Sequence, residues 1–272
     1  MRKFKNYLSY IKLYLGIGVS CICLISILAF FFINGLSHIT LEFLFSLDAP
    51  RGYSLAPMIV TTLIVVGLTL LIATPIGIGS AVYLNEYADK NSKLVRAIRI
   101  AIETLSGIPS IIYGLFGFLF YVIILGWSWS ILAGVFTVSI MVLPIIIRAS
   151  EEALKSVPQT YREASFGLGA GKFYTIMRVI LPSAITGILA AIILSVGRIV
   201  GETAALILTA GTLVGMPDGL FASSSTLAVF MYTVTVESAD MGRAYATAIV
   251  LMAVVLLLNF LANFIGKKLK RG

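Results

Sequence analysis

Polar positions in this chain are few and bunched. Between them lie six long apolar runs, at about residues 13–34, 57–84, 100–125, 131–148, 182–210 and 243–265. A helix needs roughly 20 mostly apolar residues to cross a hydrocarbon core about 30 Å thick, and each run meets or approaches that length. The pattern predicts an all-α, polytopic transmembrane bundle of six spans, one domain over residues 1–272. The second and fifth runs are longer than a crossing needs. They carry Gly67, Pro75, Gly77 and Gly79, and Gly187, Gly197 and Gly201, so both are expected to tilt, kink or project into the cytoplasm.

Composition strengthens the membrane reading. Hydrophobic residues make up 59% of the chain and charged residues 12%, against about a quarter charged in a soluble domain. The apolar surplus must face lipid. The first segment is basic and then apolar, as in a secretory leader. No small-residue cleavage site follows, and further spans do, so it is expected to remain as a span. Cys21 and Cys23 stand two apart on that helix and point away from each other, which predicts apolar fillers rather than a disulfide. The single His38 falls in the first external loop and has no companion ligands, so no metal site is expected. Tyr83, Tyr87, Tyr113 and Tyr121 lie near run ends and read as interfacial anchors.

The net charge of +8 would suit a nucleic-acid partner in a soluble protein. Its placement excludes that here. Seventeen of the 20 Lys and Arg residues fall in four segments on one side: Arg2, Lys3, Lys5 and Lys12; Lys90, Lys93, Arg96 and Arg99; Arg148, Lys155, Arg162, Lys172 and Arg178; and Lys267, Lys268, Lys270 and Arg271. Arg51 and Arg243 fall on the other side, and Arg198 lies within the fifth run. The excess of cations marks the cytoplasmic side, so both termini are expected there. Glu103, at the cytoplasmic start of the third run, reads as a boundary charge.

The longest cytoplasmic segment, residues 150–181, carries a pattern of its own. Ser156 can cap a helix that has Pro158 in its first turn and runs to about Phe166. The cluster Gly167, Gly169 and Gly171 ends that helix, and a second short helix starts near Lys172 and meets Pro182. Two short helices on a glycine turn are predicted. The spacing Glu163-Ala164-Ser165, three residues, Gly169, nine residues, Val179-Ile180-Leu181-Pro182 resembles the EAA loop of bacterial ABC importer permeases, with Ser165 and Val179 as mild departures. The resemblance implies a helix that docks in a groove of a separate ATPase subunit. Glu163, Ala164, Ser165, Gly169, Leu181 and Pro182 are the residues it assigns to that coupling. There, small Ala164 and Ser165 would allow close approach, Glu163 an ion pair, and Gly169 a sharp turn. No G-x-x-x-x-G-K-[ST] phosphate loop occurs. Gly171-Lys172 comes nearest but has Phe at positions 166 and 173.

Two further segments narrow the resemblance. Leu105-Ser106-Gly107-Ile108-Pro109-Ser110-Ile111-Ile112-Tyr113-Gly114-Leu115-Phe116-Gly117 and Gly197-Arg198-Ile199-Val200-Gly201-Glu202-Thr203-Ala204 are similar to stretches of the phosphate-specific permeases, closest to the A-type subunit. Tyr83-Leu84-Asn85-Glu86-Tyr87-Ala88 extends the likeness. The family implies a type I importer permease for inorganic phosphate in a bacterial or archaeal cytoplasmic membrane. It also implies a second, C-type permease subunit of similar fold, two copies of an ABC ATPase and an extracytoplasmic phosphate-binding protein. ATP and Mg would sit on the ATPase, with no cofactor on this chain. A permease for molybdate or sulfate is the nearest alternative, and these two segments argue against it. An intramembrane enzyme would need a catalytic set within the spans, and Glu202 is the only deep acid. A passive channel would have no use for the docking loop.

Arg198 and Glu202 are also readable without the resemblance. They stand four apart and share a helix face. Charges within a membrane usually face a cavity or a partner, and Arg can grip an oxyanion through two parallel N–H bonds. They are the expected pathway pair, with Glu202 weakening the grip of Arg198 so that the anion can leave. A purely structural ion pair is the competing reading. Gly197 and Gly201 read as close-packing positions.

Overall fold

The computed structural model describes residues 2–46, 54–89, 91–238 and 240–269, and every regular element among them is helical. Arg51, Lys90 and the last three residues, which bear on the charge bias and on the C-terminus, lie outside the described residues. Five helices are long and apolar enough to cross a membrane, and a bent pair supplies a sixth candidate.

α1 (Arg2–Gly35) is exposed along nearly all its described length and packs mainly against α12 (Met241–Leu269). Phe30 and Phe31 meet the Tyr245 ring edge-on at 5.4 and 5.9 Å. After the short α2 (Leu41–Phe45), the core is built by α3 (Ala56–Val82), α6 (Ile131–Lys155) and α9 (Leu181–Val200). α6 is its axis. Val135, Val138, Val142 and Ile146, spaced three or four apart, are wholly buried against Val65 and Ala73 of α3 and Val196 and Ile199 of α9. That spacing keeps them on one stripe.

The long runs resolve in different ways. The second run stays one helix: α3 passes through Pro75 and ends in a π-turn at Tyr83–Tyr87. Gly77 serves close approach instead, since a Cβ there would lie 2.6 Å from Ile146 Cγ2. The third run is not one straight span. α4 (Lys93–Ser106) and α5 (Ser110–Gly117, continued as a π-helix to Ile124) are bent by 102° at Gly107-Ile108-Pro109. Proline has no N–H and pushes the residue before it out of the helical region. The fifth run ends at Val200 rather than 210, and a separate short helix, α10 (Ala204–Thr209), follows.

The loop helix also starts later than its expected cap. Ser156 closes α6, its Oγ donating to Ala153 O at 2.8 Å, and α7 (Gln159–Gly167) begins after Pro158. α8 (Lys172–Thr175) then runs through a π-turn into α9, with Pro182 just after the π-turn. Tyr113 and Tyr121 prove to be core residues. Tyr113 donates to Leu105 O at 2.8 Å, and Tyr121 stacks on Trp127 with ring centres 5.4 Å apart. Tyr83 and Tyr87 are exposed, as interfacial residues would be.

Candidate functional site

The first site lies where α9 gives way to α10. Arg198 occupies the last turn of α9, beside Met141 of α6, whose sulfur lies 3.8 Å from Nη2. Met141 is ten residues from the N-terminal end of α6, roughly 15 Å along the axis, so the guanidinium sits well away from that end of the helix. Its side chain is 45% exposed, and that of Glu202 is 3% exposed. The two face each other at 3.8 Å, Nη2 to Oε2. That is a charge contact, too long for a hydrogen bond. The other carboxylate oxygen, Oε1, accepts the Ala205 N–H at 3.1 Å. Glu202 therefore holds the start of α10, where a negative charge also meets the positive end of the helix dipole. Gly201 is exposed and Gly197 has open space where a Cβ would stand, so neither is packed closely by another helix of this chain.

α10 is held by two glycines of α5. A Cβ at Gly114 would lie 2.7 Å from Ala205 Cα, and one at Gly117 would lie 2.9 Å from Thr209 Cγ2 and closer still to Thr137 of α6. The chain after α10 then folds over the N-terminal end of α6. Ser130 N donates to Thr209 O, Ile131 N to Ala222 O and Leu132 N to Leu220 O, at 2.9, 3.1 and 2.9 Å. Thr61 and Ser224 hydroxyls meet at 2.7 Å, and Leu227 N donates to Thr62 Oγ1 at 3.0 Å. The segment between α10 and Leu227 is thereby tied to both α3 and α6.

The second site is the helical knob after α6. Gly169 takes φ +82°, a left-handed conformation that glycine adopts freely. Its N–H reaches Phe166 O at 2.9 Å, and Ala170 N reaches Ser165 O at 3.2 Å, closing the end of α7. Glu163, Ala164 and Leu168 face outward, Leu168 at 90% exposure. An apolar-lined hollow of about 780 Å³ runs past Tyr161, Ala164, Leu168 and Tyr174. Ser165 does not belong to that outer surface. It is buried, and its hydroxyl meets the Thr175 hydroxyl at 2.8 Å, joining the two arms of the knob. Leu181 is half-buried and Pro182 exposed, both on α9 behind the turn.

Two ion pairs that the sequence reading missed anchor this end. Arg162 of α7 pairs with Glu86 in the π-turn after α3, Nη2 to Oε1 at 2.6 Å. Arg99 of α4 pairs with Glu151 of α6, and Lys155 joins the same carboxylate at 2.9 Å. The signal available was slight. Arg162 adjoins Glu163, and Glu86 ends the second run, but 76 residues separate the partners. Glu103 is exposed and lies 3.9 Å from Arg148, as a boundary charge would. His38 packs against the backbone at Gly242 and contacts the Ser37 hydroxyl at 3.1 Å. Among the described residues no group of three or more His, Cys, Asp or Glu could hold a metal ion.

Comparison with known proteins gives these arrangements a context. Residues 73–271 match the family described as binding-protein-dependent transport system inner membrane component. The chain is 34% identical over 178 residues to the probable ABC transporter permease protein YqgI of Bacillus subtilis, which covers 65% of this chain and 60% of that one. It is 35% identical over 207 residues to the phosphate transport system permease protein PstA 1 of Mycobacterium tuberculosis, covering 75% of this chain and 67% of the relative. Among solved structures, a bacterial alginate ABC transporter in complex with its pentasaccharide-bound periplasmic protein aligns with a TM-score of 0.74 at 18% identity. That alignment covers 98% of this chain and 96% of the other, and it carries the fold alone.

Proposed function

We propose, from the premise that this chain belongs to the family of binding-protein-dependent transport system inner membrane components, that it is a permease subunit importing inorganic phosphate. Members of that family are multi-pass inner-membrane transport subunits rather than enzymes. The observation that carries the phosphate reading is the half-exposed guanidinium of Arg198, beside a carboxylate already committed to Ala205 N–H. Such a group attracts an oxyanion and offers it paired N–H donors. Glu202 offsets part of that charge, which keeps binding weak enough for release. Relatives named as phosphate permeases support the same substrate.

On this reading residues 150–181 are the coupling loop. The outward Glu163, Ala164 and Leu168, with the turn at Gly169, offer a knob to an ATPase. Ser165 acts inside it, and Leu181 and Pro182 join it to α9. ATP and Mg belong to two copies of that ATPase. A second permease subunit of similar fold completes the path, and an extracytoplasmic phosphate-binding protein delivers the anion. Both termini face a bacterial or archaeal cytoplasm. The test is uptake of labelled phosphate by a strain lacking its own high-affinity system and supplied with this chain and its genomic neighbours. Uptake that survives excess molybdate and sulfate but not unlabelled phosphate is expected. Competition by molybdate or sulfate would move the substrate to those oxyanions.

A further inference from the structure

We infer that Glu86 is a positioning residue: by holding Arg162 it makes the loop helix α7 move as one body with the ends of α3 and α6. This rests on reading residues 150–181 as the coupling loop. Arg162 points inward from α7, with its side chain 11% exposed against 9% for Glu86. Its guanidinium grips the carboxylate by two prongs, Nη2 to Oε1 at 2.6 Å and Nε to Oε2 at 3.4 Å. Nη2 also donates to Leu154 O at 3.2 Å, and Nη1 to Val157 O at 3.1 Å. One planar group thus ties α7, the last turn of α6 and the π-turn of α3. Asn85 Nδ2 donates to the same carboxylate at 2.8 Å and fixes it further.

What surrounds the pair decides its importance. Beside it lies a hollow of about 590 Å³ that Glu86 and Arg162 line together with polar Asn85 and Lys172 and apolar Val157 and Phe166. The open space leaves the pair unpacked on that side, and a push on α7 reaches α3 through the charges. The α3 end passes it on, because Leu84 O accepts from Arg99 Nη2 at 3.0 Å, and Arg99 also grips Glu151 of α6. α4 is then drawn into the same body and leads through the 102° bend to α5, which packs on α10 beside Glu202. The knob keeps its own fold without Glu86, since the Ser165–Thr175 hydroxyl contact and the Gly169 turn are independent of it.

The experiment uses the whole complex, purified and reconstituted in liposomes, and reads ATPase retention, ATP hydrolysis and inorganic phosphate taken up per ATP. Glu86→Ala should retain the ATPase and its hydrolysis while phosphate per ATP falls by about tenfold, the scale of coupling that one such contact carries. The double variant Glu86→Arg/Arg162→Glu should recover part of the loss. Glu86→Gln, which preserves size, gives the same reading if the alanine variant does not accumulate. Unchanged phosphate per ATP in both single variants, or loss of the ATPase from them, overturns the inference. A wild-type chain that retains no ATPase overturns the coupling reading and this inference with it.

Discussion

Arg198 and Glu202 face each other across the break between α9 and α10 at 3.8 Å, while the same carboxylate accepts the Ala205 N–H at 3.1 Å. Glu202 therefore has a structural duty, and Arg198, held by nothing shorter than 3.8 Å among the described residues, is the freer of the two. A pair meant only to fasten helices would close to hydrogen-bond distance and bury both partners.

That asymmetry predicts different outcomes at the two positions. Arg198→Gln removes the gripping cation and should abolish most phosphate uptake in a normally assembled complex. Glu202→Gln keeps an acceptor for Ala205 N–H and should assemble well yet release the anion slowly. Glu202→Ala should in addition lose about 1 kcal/mol from the missing cap. The check is uptake against assembly in Arg198→Met/Glu202→Leu. Full uptake by that apolar pair would return Arg198 to a packing role.

At Gly169 the backbone itself sets the prediction. A φ of +82° strains any β-branched side chain, so Gly169→Val should distort the end of α7 at a cost of roughly 1–3 kcal/mol. The chain should still insert, because the spans are untouched, but uptake should drop sharply relative to ATP hydrolysis. Uptake per ATP at the wild-type level in membranes carrying Gly169→Val would count against the docking role of the knob.

Gly114 tests the fold rather than transport. Its missing Cβ leaves room for Ala205 Cα at 2.7 Å, a backbone atom that cannot step aside. Gly114→Val should push α10 away and cost about 3 kcal/mol or more, the upper range for overpacking. The measurement is thermal unfolding in detergent, where a marked fall in Tm is expected. Gly16→Val, at a position with open space around it, is the control and should leave Tm nearly unchanged.

By itself the sequence determined the lipid-facing helical class, five of the six spans to within a few residues at most of their ends, and the two-helix knob with its turn at Gly169. Those follow from local rules: apolar length against membrane thickness, and glycine where φ must be positive. It also paired Arg198 with Glu202, although the helix face they were expected to share ends at Val200. What only tertiary structure decided were matters of contact at long range. The run 100–125 read as one span, and its 102° bend at Gly107-Ile108-Pro109 depends on Val95 and Ile102 of α4 finding Ile147 and Leu84 on other helices. Pro75 interrupted the second run, yet α6 packed at Gly77 holds the helix through it. Ser165 looked like part of a docking face until Thr175 folded over it, and Glu86 was only one position in a family-like stretch until Arg162 arrived from 76 residues away. Periodicity reports which side of a helix is apolar, but a buried charge is defined by its partner, and that partner is chosen only when the helices pack.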